Sequence, residues 1–277
     1  MSVAALLLSD SRFPAGGHAH SGGVEPAVTA GTVSDLASLE AFLRGRLRTA
    51  GLVAAGLAAA ACAHSAGERR GGERAPGPVN WDQRIVHSDG FDFWGGIDAE
   101  ADARTPSPAQ RGASRRQGRA LLRAARVAWP EDRGLAELAA VGAAPARVSR
   151  SGASGSGASG SGASGSGANA EYRGGPHQAV VLGAAAAAAG CDAGDAARIA
   201  AYQSVAGPAS AAVRLLALDP MRATAVLARL AGAIDRIAEG AAAAAHGPLD
   251  ELPCPSAPAL DLLAEAHIGA EVRLFES

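Results

Sequence analysis

Residues 34–47 read SDLASLEAFLRGRL, and this stretch decides the fold class. Its leucines and its phenylalanine recur at three- and four-residue spacings, which places them along one face of an α-helix. Ser34 is a candidate N-cap, with Asp35 in the first helical turn. Alanines continue the helical pattern past Gly51 to about His64. The stretch therefore predicts one long helix with a single apolar stripe.

The same helical period returns along most of the chain. A helical turn or two ends at Gly31, and a further helix resumes near Ile97. Other helices are predicted at roughly 108–129, 177–189, 192–206, 208–218, 220–245 and 258–269. No segment alternates apolar and polar residues with the β-branched or aromatic side chains of a strand. We predict an all-α fold, a single-domain bundle of roughly eight to ten helices over residues 1–277.

Two stretches are predicted to be loops inserted between helices. In residues 65–96 glycine, proline and charged residues dominate, and the aromatic residues follow no period. Residues 151–168 repeat Gly-Ala-Ser-Gly-Ser, so 147–175 is predicted to be a flexible linker. The acids of residues 98–102 follow the first loop, where they would suit the positive end of a helix dipole.

Composition excludes several classes of enzyme. All 25 basic residues are arginine, whereas a Walker-A phosphate loop and a Schiff-base enzyme both need lysine. No catalytic triad, HExxH, GxSxG or dinucleotide fingerprint is present, so we expect neither catalysis nor a cofactor. A net charge of −2 gives no excess of positive charge for nucleic acid.

Three widely spaced cysteines, Cys62, Cys191 and Cys254, form neither a CxxC pair nor a disulfide framework. The apolar run over residues 4–8 is too short for a signal peptide, and no other stretch predicts a membrane span. These features predict a cytoplasmic protein.

His18 and His20 are the first candidates for a metal site. They lie in GGHAHSGG, where flanking glycines would permit the extended backbone that lets both rings reach one ion. Asp10 and Glu25 are possible further ligands. The alternative is that both histidines serve loop packing and hydrogen bonding.

A run of arginines lies in the helix predicted over 108–129. Arg115, Arg119, Arg123 and Arg126 fall on one face. Such a face is usually solvated or paired with acids, but it also suits docking onto the carboxylates of a partner. Gly118, inside the same helix, suggests a close crossing of another helix there.

Two features of the C-terminal region suggest docking. Arg214 lies on an otherwise apolar helix, so it either reaches out to solvent or pairs with a buried acid. The final residues 273–277 read RLFES, and apolar residues there suggest docking against this chain or a partner.

Five segments, in order, resemble those of the UreF family of urease accessory proteins. They are LSDSRFPAGGHAHSGGVE at 8–25, Ala103-Arg104 with SRRQGRALLR at 114–123, HQAVVLG at 177–183, SAAVRL at 210–215, and His267 with RLFES at 273–277. Residues 65–96 and 151–168 have no counterpart in the family's pattern, and His18 stands where an aromatic residue is common.

The resemblance implies an all-α, non-catalytic scaffold, commonly dimeric, that bridges UreD (also called UreH) and the GTPase UreG in the nickel-dependent maturation of apo-urease. The alternative is an arginine-rich helical interaction module unrelated to urease. The candidate partner-binding residues are Ser9, Asp10, Pro14, Gly16, Gly17, His18, His20, Ser21, Glu25, Arg115, Arg116, Gln117, Arg119, Arg214, His267, Arg273, Leu274, Phe275 and Ser277. No metal site is assigned beyond the weak candidates His18 and His20.

Overall fold

The computed structural model describes residues 3–10, 13, 20–69, 93–143, 174–270, 274 and 275. Its helices are α1 Val3–Ser9, α2 Val24–Thr29, α3 Leu36–Arg46, α4 Leu52–Arg69, α5 Phe93–Ala103, α6 Pro108–Ala128, α7 Arg133–Ala143, α8 Gln178–Ala188, α9 Ala193–Leu216, α10 Pro220–Ala244 and α11 Pro258–Ile268. Since α3 runs through a π-helical turn, Leu47–Gly51, straight into α4, these form ten separate rods. Within the described residues there is no strand, which confirms the all-α prediction.

α8 forms the centre of the bundle. Every residue from Ala179 to Ala187 is buried, and a helix that is apolar all round belongs inside a protein. α4 packs along one side of α8 and also against α9, while α6 and α7 cover the other side. α10 closes the bundle by packing on α9 and α4. Small alanine side chains line these contacts, as the alanine-rich composition predicts.

Several predicted boundaries were wrong for identifiable reasons. The N-cap of α3 is Asp35, not Ser34: its carboxylate accepts the Ser38 N–H at 2.8 Å, and the Ser38 hydroxyl accepts the Asp35 N–H. α4 continues to Arg69 and α5 begins at Phe93, so the predicted loop 65–96 is too long at both ends. Residues 70–92 lie outside the described residues, as does the predicted linker 147–175 except for its last two residues.

The helices differ from the predictions in three further ways. Residues 193–216 form one helix rather than two, with Pro208 inside it. α7, Arg133–Ala143, was not predicted, although most of its residues are apolar. The acids of residues 98–102 lie within and near the end of α5, not at its positive start, and Asp98 and Asp102 face other partners.

The continuous helical stretch Leu36–Gly67 is long and apolar enough to cross a membrane by length and composition. However, 61% of its most apolar window is buried inside the fold, and the core helix of a bundle satisfies the same test. Its position against α8 and α9 accounts for its apolar surface.

Candidate functional site

The segments that resemble the family pattern converge on two clusters, each built around a buried carboxylate, with a groove between them. The first, which we call the tail clamp, consists of Glu25, Arg214, His267, Leu274 and Phe275. The second, the ion-pair cluster, consists of Asp98, Asp102, Ser114, Arg115 and His177. Each cluster joins segments that are distant in sequence.

Glu25 is the anchor of the tail clamp. It is buried in the first turn of α2, where its two carboxylate oxygens accept the main-chain N–H groups of Leu274, at 2.8 Å, and Phe275, at 2.9 Å. The ring of Phe275 is buried, whereas Leu274 is 72% exposed. A hydrogen bond to an ionised acceptor is among the stronger kinds in proteins, so one carboxylate fixes this short segment.

His267 and Arg214 complete the tail clamp from two other helices. His267, near the end of α11, places Nε2 3.3 Å from Glu25 Oε2 and 3.2 Å from the Phe275 carbonyl oxygen. Arg214 lies on α9 with its guanidinium carbon 4.4 Å from the centroid of the Phe275 ring, a cation–π geometry. Arg214 is exposed, so of the two sequence-based alternatives it reaches out to solvent.

Arg115 is the centre of the ion-pair cluster. Its Nη1 donates to Asp98 Oδ2 at 2.8 Å and its Nη2 donates to Asp102 Oδ2 at 2.6 Å. Nη1 also donates to the Gly175 carbonyl oxygen at 2.5 Å. Burial by itself lowers the pKa of Arg115, but the charges and hydrogen bonds of the two aspartates outweigh it and raise that pKa. α5, α6 and the segment before α8 are thereby held together.

His177 occupies the other side of the same carboxylates. Its main-chain N–H donates to Asp98 Oδ1 at 2.8 Å, and its Nε2 lies 2.8 Å from Asp102 Oδ1. Nδ1 lies 3.0 Å from the hydroxyl of Ser114. Burial raises the pKa of Asp102, but the hydrogen bond and charge of His177, together with Arg115, hold that pKa below its ordinary value.

The ion-pair cluster also contains the one set of three potential metal ligands found among the described residues, Asp98, Asp102 and His177. Their ligand atoms lie within 4.8 Å of one another. However, all four carboxylate oxygens already accept hydrogen bonds, and Arg115 supplies the positive charge that an ion would bring. The donor set therefore fits an internal ion pair better than a metal site.

Only part of the predicted arginine face is exposed to solvent. Arg115 is 4% exposed and paired with acids, whereas Arg119, Arg123 and Arg126 are exposed on α6. Arg119 donates to the Gly174 carbonyl oxygen, and Arg116 is exposed beside it. The arginine face is therefore divided, because α6 turns Arg115 into the protein against its acids and leaves the other three arginines exposed.

Gly118 confirms the expectation of a close approach. A Cβ at this position would overlap the Pro176 carbonyl oxygen. The segment before α8, rather than a helix, crosses α6 there. That approach is what brings Gly175 and His177 within reach of Arg115.

The groove between the two clusters has a volume of about 230 Å³. His20 and Gln117, both predicted site residues, line it together with Arg46 from α3 and Cys254 from the loop before α11. Ser21 is fully buried next to His20. Ser9 and Asp10 lie at the end of α1, where the Ser9 hydroxyl donates to the Ala5 carbonyl oxygen at 2.8 Å.

Six predicted site residues lie outside the described part of the chain: Pro14, Gly16, Gly17, His18, Arg273 and Ser277. The weak metal candidate that pairs His18 with His20 is therefore untested. In the described residues His20 belongs to no group of three potential metal ligands.

Sequence reasoning missed Arg104 as a structural residue. Its Nε donates to the Pro253 carbonyl oxygen, Nη1 pairs with Glu100, and Nη2 reaches the carbonyl oxygens of Leu249, Asp250 and Leu252. Arg104 thus holds the 3₁₀ turn Leu249–Glu251 against the end of α5. The nearest signal in the sequence was the Ala103-Arg104 pair. It contributed to the family resemblance but did not predict which groups Arg104 would contact.

Sequence reasoning assigned Asp98 and Asp102 to a helix dipole and missed their role as partners of Arg115. Aspartate is unfavourable inside helices, so two of them four residues apart within a helix would have indicated a demand for partners. That signal was masked by the wrong start predicted for α5.

Comparison with known proteins identifies the family of this chain. The sequence model of the UreF family matches residues 33–231. A protein named urease accessory protein UreF from Mycolicibacterium vanbaalenii is 40% identical over 274 residues, covering 98% of this chain and 97% of that protein. Proteins of the same name from Mycobacterium marinum and Mycobacterium tuberculosis are 39% and 38% identical over 272 and 267 residues, 98% and 96% of this chain and 97% and 94% of theirs. This chain belongs to the UreF family of urease accessory proteins.

Proposed function

We propose that this chain is a non-catalytic scaffold that bridges UreD (UreH) and the GTPase UreG and presents them to apo-urease, so that nickel enters the urease active site. The observation that carries the proposal is the match to urease accessory proteins over 98% of the chain. The expected working form is a homodimer within that complex, in the cytoplasm.

The tail clamp supports a scaffold role. It presents Leu274 at 72% exposure while Glu25 fixes the main chain beneath it. An exposed apolar side chain on a fixed backbone loses little conformational freedom on binding, which favours association. The exposed arginines of α6 offer a second surface, suited to carboxylates of a partner.

The test is a pull-down of the tagged full chain co-expressed with UreD (UreH), UreG and apo-urease. We expect the chain to capture UreD and UreG together, and removal of residues 273–277 to abolish or weaken that capture. Glu25→Gln, which keeps the tail sequence but loosens its attachment, should weaken capture less. Glu40→Gln is the matched control, since Glu40 pairs on the surface with Arg44 and Arg229.

The proposal makes a second demand in the native host. Loss of this chain should abolish urease activity, and the complete chain should restore it. Normal urease activity without the chain would contradict the proposal and favour an interaction module unrelated to urease. Capture of UreD without UreG would retain an accessory role but contradict the bridge.

A further inference from the structure

The groove between the two clusters contains a cation, Arg46, that no acid among the described residues neutralises. Arg46 ends α3, immediately before the π-helical turn Leu47–Gly51, and its side chain lines the groove. Its Nε donates to the Ser204 carbonyl oxygen at 2.9 Å. Among the described residues, its two terminal nitrogens have neither a hydrogen bond nor a salt bridge. Four N–H donors of Arg46, which lines the groove, therefore have no partner among the described residues.

The bond to Ser204 explains why Arg46 is held in this position. Pro208 lies inside α9 and has no N–H, so the Ser204 carbonyl, four residues earlier, lacks its helical donor. Arg46 supplies that donor through Nε. The side chain is thus fixed through Nε, while the two terminal nitrogens have no partner among the described residues. Burial also lowers the pKa of Arg46 to about 10, which leaves it charged at neutral pH.

The other charged groups that line the groove either have partners of their own or form no salt bridge with Arg46. All three nitrogens of Arg104 are occupied, and His177 is paired with Asp102. Asp261 also lines the groove, but burial raises its pKa, and the nearby charge of Glu265 raises it further. No salt bridge joins Asp261 to Arg46 in the described structure.

The loop above Arg46 is shaped to leave its guanidinium accessible. Gly22 has a φ of 59°, and a Cβ there would lie 2.8 Å from Pro208 Cγ and 3.3 Å from Arg46 Cζ. A larger residue at this position would press on both groups. The π-helical turn after Arg46 widens the helix at the same place, and such turns occur often at functional sites.

We propose that this groove is a carboxylate-binding site in which the two terminal nitrogens of Arg46 hold the ligand end-on. A single cation balances one carboxylate, whereas a phosphate dianion would be under-neutralised beside Asp261. A volume of about 230 Å³ admits a side chain or a small acid rather than a large cofactor. The site stands on the groove alone and does not depend on the proposed role in urease maturation.

The test uses the full chain and three probes at low ionic strength: acetyl-Ala-Glu-Ala-amide, acetyl-Ala-Gln-Ala-amide and sodium acetate. Binding is followed by ligand-observed NMR titration on the wild type, Arg46→Gln and the matched control Arg48→Gln. Arg48 is exposed two residues further along the same helical rod. We expect Arg46→Gln to weaken binding of the glutamate peptide by about tenfold or more, and Arg48→Gln to leave it unchanged.

Each outcome supports or overturns the proposed carboxylate-binding site. Glutamate peptide bound well above both the glutamine peptide and acetate supports a site for a carboxylate carried on a polypeptide, and acetate bound equally well supports a site for small free acids. Since Arg46→Gln also removes the donor to Ser204, the comparison of glutamate with glutamine peptides on the wild-type protein gives an answer that needs no variant. No binding of either carboxylate, or equal binding by wild type and a folded Arg46→Gln, would overturn the proposal.

Discussion

The tail clamp and the ion-pair cluster use the same chemistry with different mechanical consequences. In each, a buried carboxylate accepts main-chain N–H groups of an irregular segment: Glu25 from Leu274 and Phe275, and Asp98 from His177. In each, a histidine ring also lies against a carboxylate: His267 against Glu25, and His177 against Asp102. The difference is what the held segment carries.

The ion-pair cluster holds the start of α8, whose residues from Ala179 to Ala187 are all buried. Loss of this cluster would therefore disturb the centre of the bundle. The tail clamp holds a segment in which Phe275 is buried and Leu274 is exposed, against α11, which buries only Ala264 and His267. We infer that the same polar bonds form a fixed joint where a core helix follows them. They form a releasable contact where few other residues pack against the held segment.

The largest expected effect is that of Arg115→Ala. It leaves two carboxylates near one another without their cation, and breaking a buried pair in this way costs about 3–5 kcal/mol of unfolding free energy. The measurement is denaturant unfolding followed by circular dichroism. Arg119→Ala, which removes an exposed arginine one turn further along α6, should change stability by less than about 1 kcal/mol. Equal losses in the two variants would show that the cluster is not a structural joint.

Gly118→Ala tests the same joint through its backbone. The new Cβ would overlap the Pro176 carbonyl oxygen, so the segment before α8 must move away from α6. Overpacking of this kind costs about 1–3 kcal/mol. Gly112→Ala is the control on the same helix, because its Cβ would meet only the flexible end of Arg116. That variant should gain about 0.5–1 kcal/mol from helix propensity, and a matching gain in Gly118→Ala would contradict the close approach.

Glu25→Gln tests whether the tail clamp is releasable. The amide offers one acceptor oxygen instead of two, so one of the N–H groups of Leu274 and Phe275 loses its partner. Hydrogen exchange at these two amides should speed up by about tenfold or more, with a smaller loss of global stability than in Arg115→Ala. Hydrogen–deuterium exchange with mass spectrometry measures both regions in one experiment. If exchange in α8 rose as much as exchange at the tail, the two regions would not differ as argued.

Sequence periodicity predicted the long helices well because each reflects contacts between residues three and four apart. α6 and α10 are within two residues of their predicted ends. The two helices predicted at 192–206 and 208–218 are one helix, α9, although Pro208 inside it removes one hydrogen bond. The helix continues because Arg46, 158 residues away in the sequence, donates to the carbonyl that proline leaves free. A compensation over that distance is not visible in a local pattern.

The candidate site was likewise only partly predictable: its residues could be identified from the sequence, but their contacts could not. Glu25, Arg214, His267 and Phe275 were each identified as candidates, but their meeting at one place depends on contacts about 250 residues apart in sequence, such as Glu25 with Phe275. Arg115 was identified for its place on an arginine face, whereas its actual role depends on Asp98 and Asp102. Helical spacing locates a residue on its own helix and does not specify what lies opposite.

The smallest expected effect is a change in the pH dependence of stability, which tests the ion-pair cluster alone. The pKa of Asp102 is lowered in the folded protein from its ordinary value of 3.8, so below about pH 5 the unfolded chain takes up the proton first and stability falls with the pH. Asp102→Asn should therefore flatten the fall of the urea midpoint between about pH 5 and pH 3. The effect is small, because Asp102 is partly exposed and its charge is screened.

Asp261→Asn has the opposite sign: the pKa of Asp261 is raised, so its ionised form opposes folding and protonation relieves this as the pH falls. Removing Asp261 should steepen the acid loss. If both variants shifted the profile in the same direction, the electrostatic account of the ion-pair cluster would be wrong, while the tail clamp, which contains neither aspartate, would be unaffected.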